Sequence, residues 1–294
     1  MRTALLIFSI LLMVGSPARG KMKIVASTSD LAFFARQIGG DLVDVDAIAP
    51  PRADVHFVEV RPSYMRKLSQ ADLVLKVGLE LDTWMDKIID GSRRSNLVVV
   101  TCSKYIEPLE VPDFKVDARY GDLHRLGNPH YWLGPQNIKP IADVVAEGLS
   151  AADPEHAGQY ASNRDSLLAR LQVDIEALQP RLTTLEGVEV VFYHNTWPYF
   201  CAFTGLIAAG FVEPYPGVPA SPNHTRDIIN LIRARGIRLI AVEPYFDRRV
   251  PDKIAQETGA VVVTLYPSIG GRREGETFRQ WLEGNVDALL AVPR

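Results

Sequence analysis

The sequence has few cysteines, little net charge and no repeated or low-complexity tract. It contains two cysteines in 294 residues, and its formal net charge is −3. Two cysteines cannot build the disulfide framework of a small secreted domain, so Cys102 and Cys201 either pair or remain separate buried thiols. A nearly balanced charge gives no basic surface for nucleic acid. What remains is an ordinary globular protein, long enough for two hydrophobic cores.

Long apolar runs are also scarce. The clearest one, residues 4–14, is shorter than the about 20 residues that a membrane-spanning helix needs. It follows Met1-Arg2-Thr3 and precedes small residues, which is the pattern of a secretory signal cleaved near Ala18 or Gly20. There is no cysteine near the cleavage site to carry a lipid anchor. We therefore expect a mature chain that is free in the periplasm.

The rest of the chain alternates between short apolar runs and helical patterns, which predicts an α/β fold with mainly parallel sheets. Strands are expected at residues 23–27, 42–48, 72–77, 97–101, 188–193, 237–242 and 260–265. Shorter helices are expected at 31–38, 61–70, 81–89, 138–149, 249–258 and 278–290, with a mostly helical stretch at 197–209 and a helix capped by Asn223. Residues 108–128 show no period and are expected to form a loop.

One long amphipathic pattern separates the two groups of strands. Apolar residues recur three and four positions apart between residues 153 and 185, and Asp153-Pro154-Glu155 is a helix start signal. We therefore predict two α/β lobes joined by one long helix. The predicted boundaries are a signal peptide (1–20), an N-terminal lobe (21–152), the linking helix (153–185) and a C-terminal lobe (186–294). A long helix packed across one large domain is the alternative.

Polar residues follow several of the predicted strands. His56 lies in the loop after strand 42–48, His130 lies in the loop that ends the first lobe, and His194, Glu243 and Tyr266 come directly after later strands. Open parallel sheets bind ligands outside the carboxyl ends of their strands. If the lobes face each other, the three histidines meet. Three neutral imidazoles favour Zn²⁺, with Mn²⁺ less favoured.

Five short motifs occur in a recognisable order along nearly the whole mature chain. They are Asp54-Val55-His56, Asn128-Pro129-His130-Tyr131-Trp132-Leu133, Phe192-Tyr193-His194, Val242-Glu243-Pro244 and Glu257-Thr258-Gly259-Ala260. Their order resembles that in the zinc and manganese solute-binding proteins of ABC importers. The resemblance implies a receptor that holds a divalent metal between two lobes and delivers it to a membrane permease.

The resemblance also implies a ligand set. The first three ligands of the family match His56, His130 and His194, and a histidine at the third place is similar to zinc members. The usual fourth ligand is an Asp before a Pro, and here Tyr266 stands in that place. Glu243, Tyr266 or a water could complete the site.

The loop between Asp113 and His124 resembles a short version of a mobile loop that collects metal in this family. An ordinary solvated loop is the alternative for these residues, because nothing in their spacing requires a role in metal binding.

Two other functions are compatible with the same residues. Three histidines with an open position also occur in catalytic zinc sites, and Glu243 could then act as a general base. However, the sequence lacks a His-Glu-x-x-His helix, a Gly-x-Ser-x-Gly turn and an acidic cluster for a second metal. An extracellular adhesin on the same scaffold is a third candidate. We predict a binding protein and not an enzyme, active as a monomer and without a nucleic-acid partner.

Overall fold

The structure, a computed structural model, describes residues 20–121 and 123–292. The predicted signal peptide lies outside the described residues except for Gly20. Within the described part of the chain, no helix combines the length and the apolar character that crossing a membrane requires.

The N-terminal part forms a four-stranded parallel sheet. Its strands run in the order β2-β1-β3-β4, and the central strands are apolar on both faces because helices cover both sides. The strands are β1 (Met22–Thr28), β2 (Val43–Ala49), β3 (Leu73–Lys76) and β4 (Val98–Thr101), and the helices are α1 (Ser29–Gly39), α2 (Pro62–Ser69), α3 (Trp84–Ser92) and α4 (Ile138–Ala152).

The long amphipathic pattern forms α5 (Ala157–Leu182), a helix of 26 residues with a 3-10 turn at each end, Pro154–His156 and Thr183–Leu185. Its buried residues follow the predicted period: Tyr160, Leu167, Leu171, Ile175, Leu178 and Leu182. The predicted start differs in one detail. The Asp153 side chain makes no capping hydrogen bond with the backbone and instead accepts one from the Tyr160 hydroxyl.

The C-terminal part forms a second parallel sheet in the order β6-β5-β7-β8. Its strands are β5 (Glu189–Phe192), β6 (Ile207–Phe211), β7 (Leu239–Val242) and β8 (Val261–Thr264), and its helices are α6 (Pro198–Thr204), α7 (Pro222–Arg235), α8 (Arg249–Thr258) and α9 (Phe278–Leu290). Helix α5 packs against α1 and α4 on one side and α9 on the other. The predicted fold class, two α/β lobes and a long helix, is confirmed.

Two predictions in this second part need correction. The stretch 197–209 is helical only from Pro198 to Thr204, where α6 ends, and residues 207–209 belong to β6, which pairs in parallel with β5. Helix α7 is capped not by Asn223 but by Ser221, whose side chain accepts a hydrogen bond from the His224 backbone N–H. Pro222 then takes the first helical position, where its missing N–H costs nothing.

Both cysteines are buried and free, which decides between the two alternatives left open by the sequence. Burial raises the pKa of the Cys201 thiol to about 12, and burial also raises that of Cys102.

Several hydrogen bonds join the first lobe to one loop of the second. Arg52 Nε donates to the Gly271 carbonyl at 2.6 Å, and Trp132 Nε1 donates to the Pro267 carbonyl at 2.9 Å. The Asp30 carboxylate accepts from the Ile269 backbone N–H at 3.0 Å. The loop after β8 is therefore fixed to the first lobe at several points.

Replacing Asp30 with asparagine is expected to stabilise the protein at neutral pH. Burial raises the pKa of Asp30 from 3.8 to about 6, although the Ile269 N–H opposes the rise. As the pH rises from 3.8 to about 6, Asp30 loses its proton in the unfolded chain before it does so in the folded protein. The free energy of unfolding therefore falls over this range, and above pH 6 the whole cost of burying the charged carboxylate remains. A pKa shift of about two units corresponds to about 3 kcal/mol, which is an upper bound for the gain in the free energy of unfolding of the asparagine variant.

Urea unfolding at pH 7.5 and pH 4 tests this expectation. The gain should be largest at pH 7.5 and fall well below about 1 kcal/mol at pH 4. Asp44→Asn, on the exposed side of β2, is the control. Equal effects of the Asp30 substitution at both pH values would contradict the expectation.

Candidate metal centre

Two of the candidate histidines are held by the same local hydrogen-bond motif. The Asp54 carboxylate accepts hydrogen bonds from both the backbone N–H and Nδ1 of His56, at 3.0 and 2.7 Å. Asn128 does the same for His130, two residues later, at 3.1 and 3.0 Å. A short Asx side chain bonds readily to the backbone two residues on. Each loop therefore fixes its own histidine ring.

His194 is held from further along the chain. It lies two residues after the end of β5, at the carboxyl edge of the second sheet. Its Nδ1 is 2.8 Å from a carboxylate oxygen of Glu213, which follows β6. Because β5 and β6 are parallel neighbours, both residues emerge at the same edge of the sheet.

The three rings converge on one point. Their ligand atoms all lie within 4.8 Å of one another, the one such group of His, Cys, Asp and Glu ligands found among the described residues. Ring centres are 5.0 Å apart for His56–His130, 5.0 Å for His56–His194 and 5.6 Å for His130–His194. Imidazoles that share one tetrahedral Zn²⁺ at about 2.0–2.1 Å have ring centres roughly 5 Å apart. The spacing therefore suits a tetrahedral metal ion.

The hydrogen bonds also decide which nitrogen faces the centre. With Nδ1 donating to an oxygen, the neutral ring presents the Nε2 lone pair. Nε2 of His56 and of His130 is buried and has no hydrogen-bond partner. Buried polar atoms are otherwise almost always paired, so these two atoms are positioned to bind a metal.

Charge at the centre comes from the carboxylates behind the rings. Burial alone would raise the pKa of Asp54, but hydrogen bonds and charge from His56 lower it below its ordinary value. Burial and the neighbouring rings hold the pKa of His130 well below its usual range. The site thus combines a neutral ligand with an ionised outer carboxylate, the state that divalent metal binding requires.

The other two predicted site residues are placed differently. Glu243 follows β7 and is buried, but it is not part of the close group of ligand atoms. One of its oxygens accepts a hydrogen bond from Trp197 Nε1 at 2.9 Å, and burial raises its pKa to about 7. The Tyr266 ring lies under the Arg272 guanidinium, 4.8 Å from its centre.

Several residues at the site were not singled out from the sequence. Glu213 and Asn128 orient two of the histidines, and Glu110 accepts hydrogen bonds from the side-chain amides of both Asn128 and Asn195. His124, which the sequence placed only in a loop, is 7% exposed and stacks on His56 with ring centres 5.6 Å apart. The Asp-x-His and Asn-x-His spacing could have indicated from the sequence that Asp54 and Asn128 orient the histidines two residues later. The resemblance to a metal-collecting loop was a signal for His124, but it did not predict the contact with His56. Glu213 had no signal, because its contact with His194 is distant in sequence.

The family model for the periplasmic component A of a zinc-uptake complex, ZnuA, matches residues 24–292. The chain belongs to the ZnuA family. Members of this family are metal-binding receptors of ABC importers, found in the periplasm or outside the cell, and they are not enzymes. The alternative of an exported zinc hydrolase is therefore not supported.

Solved structures agree with the fold. A crystal structure of a ZnuA protein is 26% identical, has a TM-score of 0.76 and covers 92% of this chain and 96% of its own. The manganese-bound periplasmic metal-binding protein of Candidatus Liberibacter asiaticus is 22% identical, with a TM-score of 0.77 and coverage of 92% and 99%. At this identity the second likeness shows the fold alone.

Related sequences carry the names of different metals. The manganese-binding lipoprotein MntA of Halalkalibacterium halodurans is 24% identical, covering 92% of this chain and 88% of its own. The iron-binding protein YfeA of Yersinia pestis is 25% identical, covering 82% and 75%. Membership of the ZnuA family therefore establishes a metal-binding receptor but not the identity of the metal.

Replacing Glu213 with glutamine is expected to weaken Zn²⁺ binding about tenfold. The amide keeps an oxygen for His194 Nδ1–H but removes the negative charge behind the ring, and changes to such outer partners cost about 10–100-fold in metal affinity. A competition titration with a fluorescent chelator measures the change. Glu189→Gln, a carboxylate paired with Arg235 on the surface, should leave affinity unaltered. Equal affinities for the two variants would show that the Glu213 charge is not felt by the metal.

Proposed function

We propose that this receptor captures one Zn²⁺ ion per chain through Nε2 of His56, His130 and His194 and delivers it to its permease. The observation that carries the proposal is the convergence of three ring nitrogens within 4.8 Å. Nε2 of two of these rings is buried without a hydrogen-bond partner. Buried ring nitrogens without partners are costly unless they serve to bind a ligand.

The chemistry of the donors supports zinc over manganese. Imidazole nitrogens suit Zn²⁺, whereas Mn²⁺ is better served by carboxylate, carbonyl and water oxygens. The carboxylates here, Asp54 and Glu213, hydrogen-bond to ring Nδ1 atoms. These carboxylates would offset the positive charge of a bound ion without contacting it, because each binds the Nδ1 side of a ring whose Nε2 faces the ion. Affinity for divalent metals at nitrogen sites also rises from Mn²⁺ to Zn²⁺.

The fourth position is not assigned to Glu243 or Tyr266 in this proposal. Glu243 shares a buried hydrogen bond with Trp197, and Tyr266 stacks under Arg272. The second Glu243 oxygen, Oε2, is buried and has no hydrogen-bond partner among the described residues, but it lies outside the group of ligand atoms that are all within 4.8 Å of one another. We therefore restrict the proposed protein ligands at this stage to the three histidines.

We further propose that the mature receptor is a monomer, free in the periplasm without a lipid anchor and without a nucleic-acid partner. The weak net charge and the absence of cysteine near the cleavage site support this. The relative MntA is named a lipoprotein, so this comparison does not support the absence of a lipid anchor.

Metal analysis of the purified mature protein tests the proposed function. We expect one bound Zn²⁺ per chain, and in competition a preference for Zn²⁺ over Mn²⁺ of at least about 100-fold. A variant with all three histidines changed to alanine provides the blank for non-specific binding. Preferential retention of Mn²⁺, or equal zinc content in the blank, would overturn the proposal.

A further inference from the structure

A fourth histidine shares the features of the three proposed ligands. His124 is 7% exposed, and its Nε2 is buried without a hydrogen-bond partner among the described residues, as are the Nε2 atoms of His56 and His130. An imidazole nitrogen left unpaired in a dry site costs free energy. The sequence predicted either a mobile metal-collecting loop or a solvated loop here, and neither requires a buried histidine, so the burial of His124 needs an explanation.

The ring lies beside one of the three proposed ligands, stacked on His56 with an angle of 21° between the ring planes. Its centre is 5.6 Å from that of His56, equal to the separation of His130 and His194. His124 is nevertheless outside the group whose ligand atoms all lie within 4.8 Å. A cavity of about 220 Å³ is lined by His124, His130 and His194. His124 therefore borders the same cavity as two of the proposed ligands.

The segment that carries His124 is fixed on both lobes. We call residues 117–121 and 123–125 the bridging segment. On the first lobe, the backbone N–H of Arg125 donates to the Glu80 carboxylate at 2.8 Å, and the Arg125 guanidinium binds the same group. On the second lobe, the Tyr120 ring meets Tyr215 edge-on with centres 5.2 Å apart.

Gly121 makes the second attachment possible. Its φ is +62°, and a Cβ there would lie 2.2 Å from the Pro216 carbonyl oxygen, so only glycine permits this approach. The described parts of the segment thus contact both lobes on either side of His124, whose ring lies against His56. This is more order than a solvated loop requires.

We propose that His124 completes a four-histidine site by binding the captured metal as its fourth ligand. The inference rests on the proposed function, because it needs a metal at His56, His130 and His194. Four neutral nitrogens match the tetrahedral coordination of Zn²⁺ and offer no oxygen to Mn²⁺. The bridging segment would then supply the fourth ligand.

X-ray absorption at the zinc edge tests the inference on the unaltered protein. The 1:1 zinc complex should show four imidazoles, and the complex of His124→Ala should show three with one oxygen. His124→Ala should also bind Zn²⁺ at least about tenfold more weakly, since even outer partners cost about 10–100-fold. His156→Ala, which removes a histidine hydrogen-bonded to Asp153 at the start of the long helix, is the matched control and should match the wild type.

The outcomes separate the two proposals. Three imidazoles in the wild-type complex, with no change of affinity in His124→Ala, would overturn the role of His124 and leave the three-histidine receptor standing. Failure of the wild type to bind zinc would overturn the proposed function and this inference with it. Because the count of imidazoles is made on the wild type, a His124 variant that folds poorly does not prevent a decision.

Discussion

Replacing His130 with alanine is expected to lower the affinity for Zn²⁺ by about 100-fold or more. Structural zinc sites with four ligands bind with about 10–16 kcal/mol, so one ligand contributes about 3 kcal/mol on average, and each 1.4 kcal/mol is tenfold. His130 is 2% exposed and has its ring fixed by Asn128. The Nε2 atom of His130 is therefore already in position, and its side chain does not have to become ordered when the ion binds.

Competition titrations of the wild type and the variant measure this loss. His156→Ala serves as the control because it also removes an imidazole but lies away from the cluster. Unfolding curves of both variants without metal show whether the fold is intact, since a loss of structure would lower affinity for another reason. An affinity for His130→Ala within about threefold of the wild type would remove His130 from the ligand set.

Replacing Trp197 is expected to have the largest effect on stability. Its side chain is 1% exposed, its ring meets Phe200 edge-on at 5.7 Å, and its Nε1–H donates to buried Glu243. Removal of a buried tryptophan side chain costs about 3–5 kcal/mol. The substitution would also leave the Glu243 oxygen without its donor in a buried position, which adds to the cost.

Two substitutions separate packing from hydrogen bonding at this position. Trp197→Ala should lower the free energy of unfolding by about 3–5 kcal/mol, whereas Trp197→Phe keeps most of the apolar volume and should cost about 1–3 kcal/mol through the unpaired carboxyl. Urea unfolding at pH 7.5 without metal measures both. Phe114→Ala, which removes an aromatic ring that is 47% exposed, should have little effect. Equal losses for the two Trp197 variants would show that the hydrogen bond carries the whole effect.

The fold was largely predictable because its elements are locally consistent. Strands buried between helices appear as continuous apolar runs. Helices α8 and α9 were predicted with their observed bounds, since Gly259 ends the first in a left-handed conformation and Thr277 caps the second with Gln280. Such signals act within a few residues, so they can be recognised without knowledge of the tertiary structure.

Strand β6 was missed because its local sequence does not favour a strand. Ile207–Phe211 contains two alanines and a glycine, and alanine favours helices. The segment is extended because its backbone pairs with Val190 and Val191 of β5. Tertiary pairing therefore overrides propensity here, and no window of the sequence around β6 contains that information.

The candidate site was predictable where it follows strands and not where it depends on loops. The ends of β5 and β7 placed His194 and Glu243 near one edge of their sheet. The position of His124 depends on the path of a loop without period, which is decided by attachments to Glu80 and Tyr215. Glu213 likewise meets His194 across 19 positions of sequence.

The two buried thiols have a consequence for how the exported protein matures. Thiol–disulfide exchange requires the thiolate, and a pKa of about 12 for Cys201 leaves roughly one molecule in 10⁵ ionised at pH 7. Folded molecules are therefore expected to react very slowly with thiol oxidants. Oxidation of Cys102 or Cys201 is expected mainly while the chain is unfolded, so the speed of folding would decide how much of the receptor stays reduced.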